Sequence, residues 1–157
     1  MSVAALRALF FSHAAFDFEL AEIREFPGVL YLAPKPDMHF RQLTEAVVAQ
    51  FPVYPPYAGA IADPTPHLTV GQPSASQAFN HLRTAFAGRA RGQLPIPARA
   101  ADVALLDNRS GIWRVRNTFG LEIRVCNHLN VERSLSSRLY PFPHIGRRVF
   151  CFCSSTL

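Results

Sequence analysis

The stretch Pro66-His67-Leu68-Thr69-Val70-Gly71 holds the residue types best suited to chemistry. Side chains alternate between the two faces of a β-strand, so His67 and Thr69 would share one face and Leu68 and Val70 the other. The apolar pair is expected to turn to a core while the polar pair turns to a cleft. A neutral imidazole beside a hydroxyl suits proton transfer at a phosphate oxygen that the hydroxyl also holds. A single His-x-Thr is a short pattern, and a strand end with a solvent-facing His and Thr satisfies it equally well. The surrounding elements decide between the two.

Those elements read as follows. Ser2 can cap a helix to about Ser12 with Leu6, Leu9 and Phe10 on one side. Phe16 to Leu20 alternates as a half-buried strand, Phe26-Pro27-Gly28 turns, and Val29 to Leu32 forms a second strand ended by Pro34 and Pro36. Asp37 caps a second helix whose Phe40, Leu43, Val47 and Phe51 make one buried stripe, with His39 on its surface. A proline-rich loop from Phe51 to Gly59 follows and can fix aromatic side chains in place, among them Tyr57 as a stacking platform for a base. Ser74 or Ser76 caps a third helix to about Ala87, with Phe79, Leu82 and Phe86 buried, Gly88 ending it, and Arg89 and Arg91 in the loop beyond. Strands are expected at Leu94 to Ala100, Val103 to Leu106 and Ile112 to Arg116, with a turn at 107–111. On the last strand Trp113 and Val115 take one face, Trp113 being assigned to the core, while Arg114 and Arg116 take the other. The order of elements predicts an α+β fold with a mostly antiparallel sheet and helices packed outside it.

The 157 residues are enough for one domain with a sizeable core, and 13 phenylalanines make that core aromatic. A formal charge of +5 favours a polyanionic partner. The basic residues are arginines except for Lys35, a skew that genome composition can also produce. Three cysteines, Cys126, Cys151 and Cys153, do not make a disulfide framework, and Cys151-x-Cys153 lacks the further ligands of a zinc site. No run is long enough for a membrane span and no signal peptide is evident, so a cytoplasmic location is expected.

Several pieces together carry a resemblance. They are Phe16-Asp17-Phe18, Phe26-Pro27-Gly28-Val29-Leu30-Tyr31-Leu32-Ala33-Pro34, Phe51-Pro52 with Pro55-Pro56-Tyr57-x-Gly59, and Pro66-His67-Leu68-Thr69-Val70. In order and spacing the chain resembles the 2'-5' RNA ligase family of the 2H phosphoesterase superfamily, from about Leu6 to Leu121. The resemblance implies two pseudo-symmetric lobes around a central groove, each offering one His-x-Thr/Ser. It implies metal-independent phosphodiesterase or ligase chemistry on a 2',3'-cyclic phosphate or a 2'-5' linkage, with no metal and no nucleotide cofactor. It makes His67 and Thr69 the expected catalytic pair, and RNA or a 2',3'-cyclic nucleotide the expected partner. Tyr57, Arg114 and Arg116 are the candidate substrate-binding residues.

The chain departs from the pattern in carrying one His-x-Thr. His13, His39, His81, His128 and His144 all lack the hydroxyl two residues on. The first motif is expected on a strand upstream of Met1, so residues 1–121 read as an N-terminally truncated domain and 122–157 as an atypical basic tail. Three readings stay open. The first is a family member with half a site, reduced in rate by about 10²–10⁴-fold. In the second, His144 supplies the missing group in space. The third is a non-catalytic RNA-binding module, or a protein-interaction remnant of the same fold. The alternation from Arg147 to Cys153 further suggests a strand that docks on a sheet edge left open.

Overall fold

Strand β1 (Phe16–Phe26) runs the length of the larger sheet and sets its two faces. In the computed structural model, which describes residues 2–122 and 149–153, the latter as backbone only, helix α1 (Val3–Phe11) precedes β1. Strand β2 (Val29–Lys35), helix α2 (Met38–Gln50), a 3-10 turn at Pro56–Gly59, strand β3 (Leu68–Gly71) and helix α3 (Ser76–Ala90) follow. Strands β4 (Ile96–Ala100), β5 (Asp102–Asp107), β6 (Arg114–Gly120) and β7 (Val149–Cys153) complete the described chain. They form an antiparallel sheet ordered β3-β2-β1-β4 and a second sheet ordered β6-β5-β7. The architecture is the expected α+β, mostly antiparallel, 2H-phosphoesterase-like fold.

The strand β1 is longer than its alternation suggests, and a bulge is the reason. Leu20 pairs with Pro34 and Glu22 with Ala33, so Ala21 is the extra residue. The bulge shifts the alternation by one residue, which keeps Asp17, Glu19, Glu22 and Arg24 on one face. The strand β2 likewise continues through Pro34. The proline lies at the bulge, where the ladder is already interrupted, so its missing N–H costs little. Gly28, at φ 76°, supplies the left-handed turn residue of the hairpin.

The other face of β1 carries Phe16 and Phe18 into the core. Both meet the ring edge of Phe40 from α2, at centroid distances of 5.0 and 4.9 Å. Edge-to-face pairs of this kind add about 0.5–1.5 kcal/mol beyond burial. Phe10 of α1 meets Phe119 of β6 at 5.5 Å, so one aromatic cluster ties both sheets to the two helices. Ala101 alone separates β4 from β5, and its carbonyl accepts the Leu121 N–H at 2.9 Å. Ala15 and Glu122 add a backbone bridge between the start of β1 and the end of β6.

Several expectations are corrected. Trp113 is not in the core. It lies in the loop before β6, 43% exposed, and its core place is taken by Phe119. Helix α3 is capped by Ala75, runs past Gly88 to Ala90 and takes Arg89 with it. It has no fully buried residue, because it covers only the β2–β3 edge, where Leu82 approaches Gly71 so closely that a Cβ there would lie 2.7 Å from its Cδ2. His39 is not a free surface residue, since its ring lies tilted against Phe16 with centroids 4.7 Å apart. Ser2 and Asp37 occupy the N-cap positions of α1 and α2 but make no side-chain cap bond. The strand foreseen near the C-terminus is present as Val149–Cys153, docked in parallel on β5 opposite β6. The remainder of the basic tail, with His128 and His144, lies outside the described residues.

Truncating Phe119, which is 1% exposed, should therefore cost about 3–5 kcal/mol of stability. Trp113→Ala should change stability by only about 0.5 kcal/mol. Urea denaturation midpoints of the two variants, side by side, distinguish the buried ring from the exposed one.

Candidate functional site

His67 stands immediately before β3, at the lip of the larger sheet. Its Nδ1 lies 2.8 Å from the Thr65 carbonyl. A carbonyl only accepts, so this bond requires Nδ1–H and leaves Nε2 as the basic nitrogen. The imidazole also meets Phe26 and Tyr31 edge-on, at 5.3 and 5.4 Å, while those two rings stack on each other at 4.3 Å. Tyr31, 4% exposed, is the floor on which the imidazole rests. Sequence reading missed Phe26 and Tyr31 here, although both flank the turn whose partner strand leads to β3.

Register places Thr69 on the same face. Thr69 pairs with Tyr31, and Tyr31 pairs with Arg24. Directly paired residues share a face. The His-x-Thr is thus assembled on the polar face of the sheet, opposite the one that packs on α2. Leu68, expected in the core, is instead 44% exposed, because β3 is a short edge strand.

The polar face continues across the sheet. Glu22 pairs with Ala33, Glu19 with Lys35 and with Pro97 of β4, and Asp17 with Arg99. An open cleft of about 700 Å³ runs along it, lined by Asp17, Glu19, Lys35, Pro36, Pro97 and Arg99. Its charges are balanced. Arg99 Nη1 donates to both Asp17 oxygens at 2.9 Å, and Lys35 and Arg24 both pair with Glu22. Lys35 first, then Arg24, holds the Glu22 carboxyl below its ordinary pKa.

The approach to His67 is pinned from α2. Arg41 donates from Nε to Asp37 at 2.8 Å and from Nη1 to Asp63. From Asp63 the chain runs through Pro64, Thr65 and Pro66, and proline fixes φ on both sides of the carbonyl that orients the imidazole. Tyr57 lies upstream in the 3-10 turn, half exposed. Its φ of 52°, shared by Ala58, is a left-handed conformation that costs a non-glycine residue about 1–2 kcal/mol.

Arg114 and Arg116 stand elsewhere, on β6 of the second sheet. Asp107 pairs with Arg114 across the hairpin, and Arg116 is the bulged residue between Val115 and Asn117. Arg116 donates to Asp107 from Nε at 2.8 Å and pairs through Nη2 at 2.6 Å. Arg109 reaches the same carboxylate through its backbone N–H, Nε and Nη2 at 2.9–3.1 Å. Arg109, then Arg116, drives the Asp107 pKa far below the carboxylate range. Asp107 and Arg109 were missed in the sequence, where the pairing of β5 with β6 was the signal. Among the described residues no cluster of three or more His, Cys, Asp or Glu could hold a metal ion, and no helix is long and apolar enough to cross a membrane.

The chain matches the 2'-5' RNA ligase superfamily over residues 2–111, well over half its length. Comparisons with curated proteins and with solved structures give no match.

Two outcomes are expected. Arg41→Met should leave the fold intact, since a surface ion pair is worth about 1 kcal/mol at most. It should nonetheless reduce the Nδ1–H tautomer of His67 in ¹⁵N–¹H spectra of the imidazole; an unchanged tautomer would mean that the prolines alone set the loop. For Asp107 the folded pKa is lowered. Its contribution is therefore fully present above the unfolded carboxylate value of about 3.9 and is lost as pH falls toward the folded value. The Asp107 carboxyl resonance should titrate well below that value, and Asp107→Asn should remove this part of the acid dependence of stability.

Proposed function

The chain belongs to the 2'-5' RNA ligase superfamily, and from that premise we propose that it acts on a 2',3'-cyclic phosphate or a 2'-5' linkage at the end of an RNA or a nucleotide. The observation that carries this reading is the His67–Thr69 pair on one polar face, with the imidazole held through Nδ1 and Nε2 left basic. In the hydrolytic direction, Nε2 of His67 takes a proton from water as its oxygen bonds to phosphorus. The bond from phosphorus to one ribose oxygen breaks, that oxygen takes a proton from bulk water, and the His67 imidazolium returns its own proton to solvent. The Thr69 hydroxyl donates a hydrogen bond to a non-bridging oxygen, where charge accumulates. Ligation replaces the water by a ribose hydroxyl and needs the same two side chains. Tyr57 is the candidate stacking platform, and Arg114 and Arg116, on the other sheet, are candidate contacts for RNA phosphates away from the reacting one. No metal or nucleotide cofactor enters any of these steps.

A second reading is favoured by a specific feature, the single His-x-Thr in these 157 residues. With one acid–base group the same face binds a phosphate and turns it over slowly or not at all.

Hydrolysis of a 2',3'-cyclic nucleotide by purified protein, with no metal added, separates the readings. Turnover that drops about 10²–10⁴-fold in His67→Ala, with Thr69→Ala also impaired, supports catalysis. Absence of turnover from folded protein that still binds the nucleotide supports the binding reading.

A further inference from the structure

The cleft on the polar face is lined by two carboxylates and two cations, whereas the β5–β6 hairpin gathers three arginines around one aspartate. A second cleft, of about 400 Å³, is lined by Asp107, Arg109, Ser110, Arg114 and Arg116, with a formal charge of +2. Asp107 is its organiser. The carboxylate, 15% exposed, accepts from both Arg109 and Arg116 and so fixes two guanidinium planes. The remaining donors of those planes are free to face a ligand. The Arg114 side chain makes no hydrogen bond or ion pair among the described residues. Guanidinium groups held in this way match phosphate oxygens in geometry and charge.

A phosphate alone would not need what stands next to the cleft. Trp113 immediately precedes Arg114 in sequence and is 43% exposed, beside the still more exposed Ile112. Ile112, Trp113 and Val115 are all exposed on this hairpin, and exposed apolar residues grouped in this way mark an interaction site. Basic side chains with an aromatic platform make the combination that holds single-stranded nucleic acid, with phosphates on the cations and a base on the ring.

We propose that the β5–β6 hairpin is a second, non-catalytic site that binds the body of a single-stranded RNA. Arg109, Arg114 and Arg116 hold backbone phosphates, and Trp113 stacks a base. The proposal rests on the reading above for its ligand class and narrows it, since the favoured substrate becomes an oligonucleotide rather than a mononucleotide. Asp107 acts as a positioning residue, holding the guanidinium groups in place.

Trp113 is the chain's one tryptophan, so its fluorescence reports this site directly and without turnover. The probes are a single-stranded RNA of about eight nucleotides, within the usual site size, a 2',3'-cyclic mononucleotide, and inorganic phosphate. The RNA should quench Trp113 at concentrations where the other two do not. The logarithm of affinity should fall with the logarithm of salt, by about 0.7 for each phosphate held. Arg114→Gln with Arg116→Gln should weaken RNA binding roughly tenfold per arginine and flatten the salt slope. Excess 2',3'-cyclic mononucleotide, which occupies the His67 face in the catalytic reading, should not displace the RNA from Trp113, whether or not the protein catalyses, which separates this site from that reading. Asp107→Asn should bind RNA more weakly although it raises the net charge. Absence of quenching, quenching that survives the arginine substitutions, or tighter binding by Asp107→Asn would overturn the proposal.

Discussion

Everything in the larger sheet depends on the division of β1 into two faces. Phe16 and Phe18 point one way and are clamped by Phe40, and Asp17 and Glu19 point the other. Because register is fixed by burial of the aromatic face, slipping it by one residue would expose both phenylalanines and bury two carboxylates. The pairing of β2 with β1 then follows, and the pairing of β3 with β2 follows from that. Thr69 therefore reaches the polar face by way of two ladders that start from an aromatic core on the far side of the sheet. The site inherits its precision from a core it does not touch.

Much of this was legible in the sequence, where alternation and spacing were regular. The three helices, the hairpin at Phe26-Pro27-Gly28 and the polar face of the His-x-Thr all follow from simple periodicity. Errors cluster where the periodicity slips. Ala21 and Arg116 are bulged residues, and each marks a place where reading by alternation alone failed: the first cut β1 short, and the second concealed how Arg116 meets Asp107. Trp113 was misplaced because hydrophobicity was read as burial, whereas Phe119 further along the strand fills the core. The floor of Phe26 and Tyr31 beneath His67 was not legible, because it is made by side chains of two strands meeting a residue ahead of a third, and no local pattern encodes it.

The two clefts divide their electrostatic labour. Along the polar face each cation has a carboxylate close by, which leaves little net field to attract an anion over distance. At the β5–β6 hairpin two arginines share one aspartate and Arg114 stands beside them with no carboxylate of its own, so the field extends outward. Only charges within about a Debye length, roughly 8–10 Å at physiological salt, act on a ligand already in place. A charge-balanced chemical face suits discrimination at contact, and a basic hairpin suits capture.

The hydrogen bond from His67 to the Thr65 carbonyl has a consequence for the energetics of proton exchange. Nδ1 carries its proton both in the neutral tautomer and in the imidazolium, so the carbonyl is satisfied in either state. A proton can arrive at Nε2 and leave again with no ring flip and no broken bond. The backbone between Pro64 and Pro66 is stiff enough to keep the carbonyl still. The reorganisation that accompanies a change of charge is then confined to the far side of the ring, where a ligand or solvent would sit.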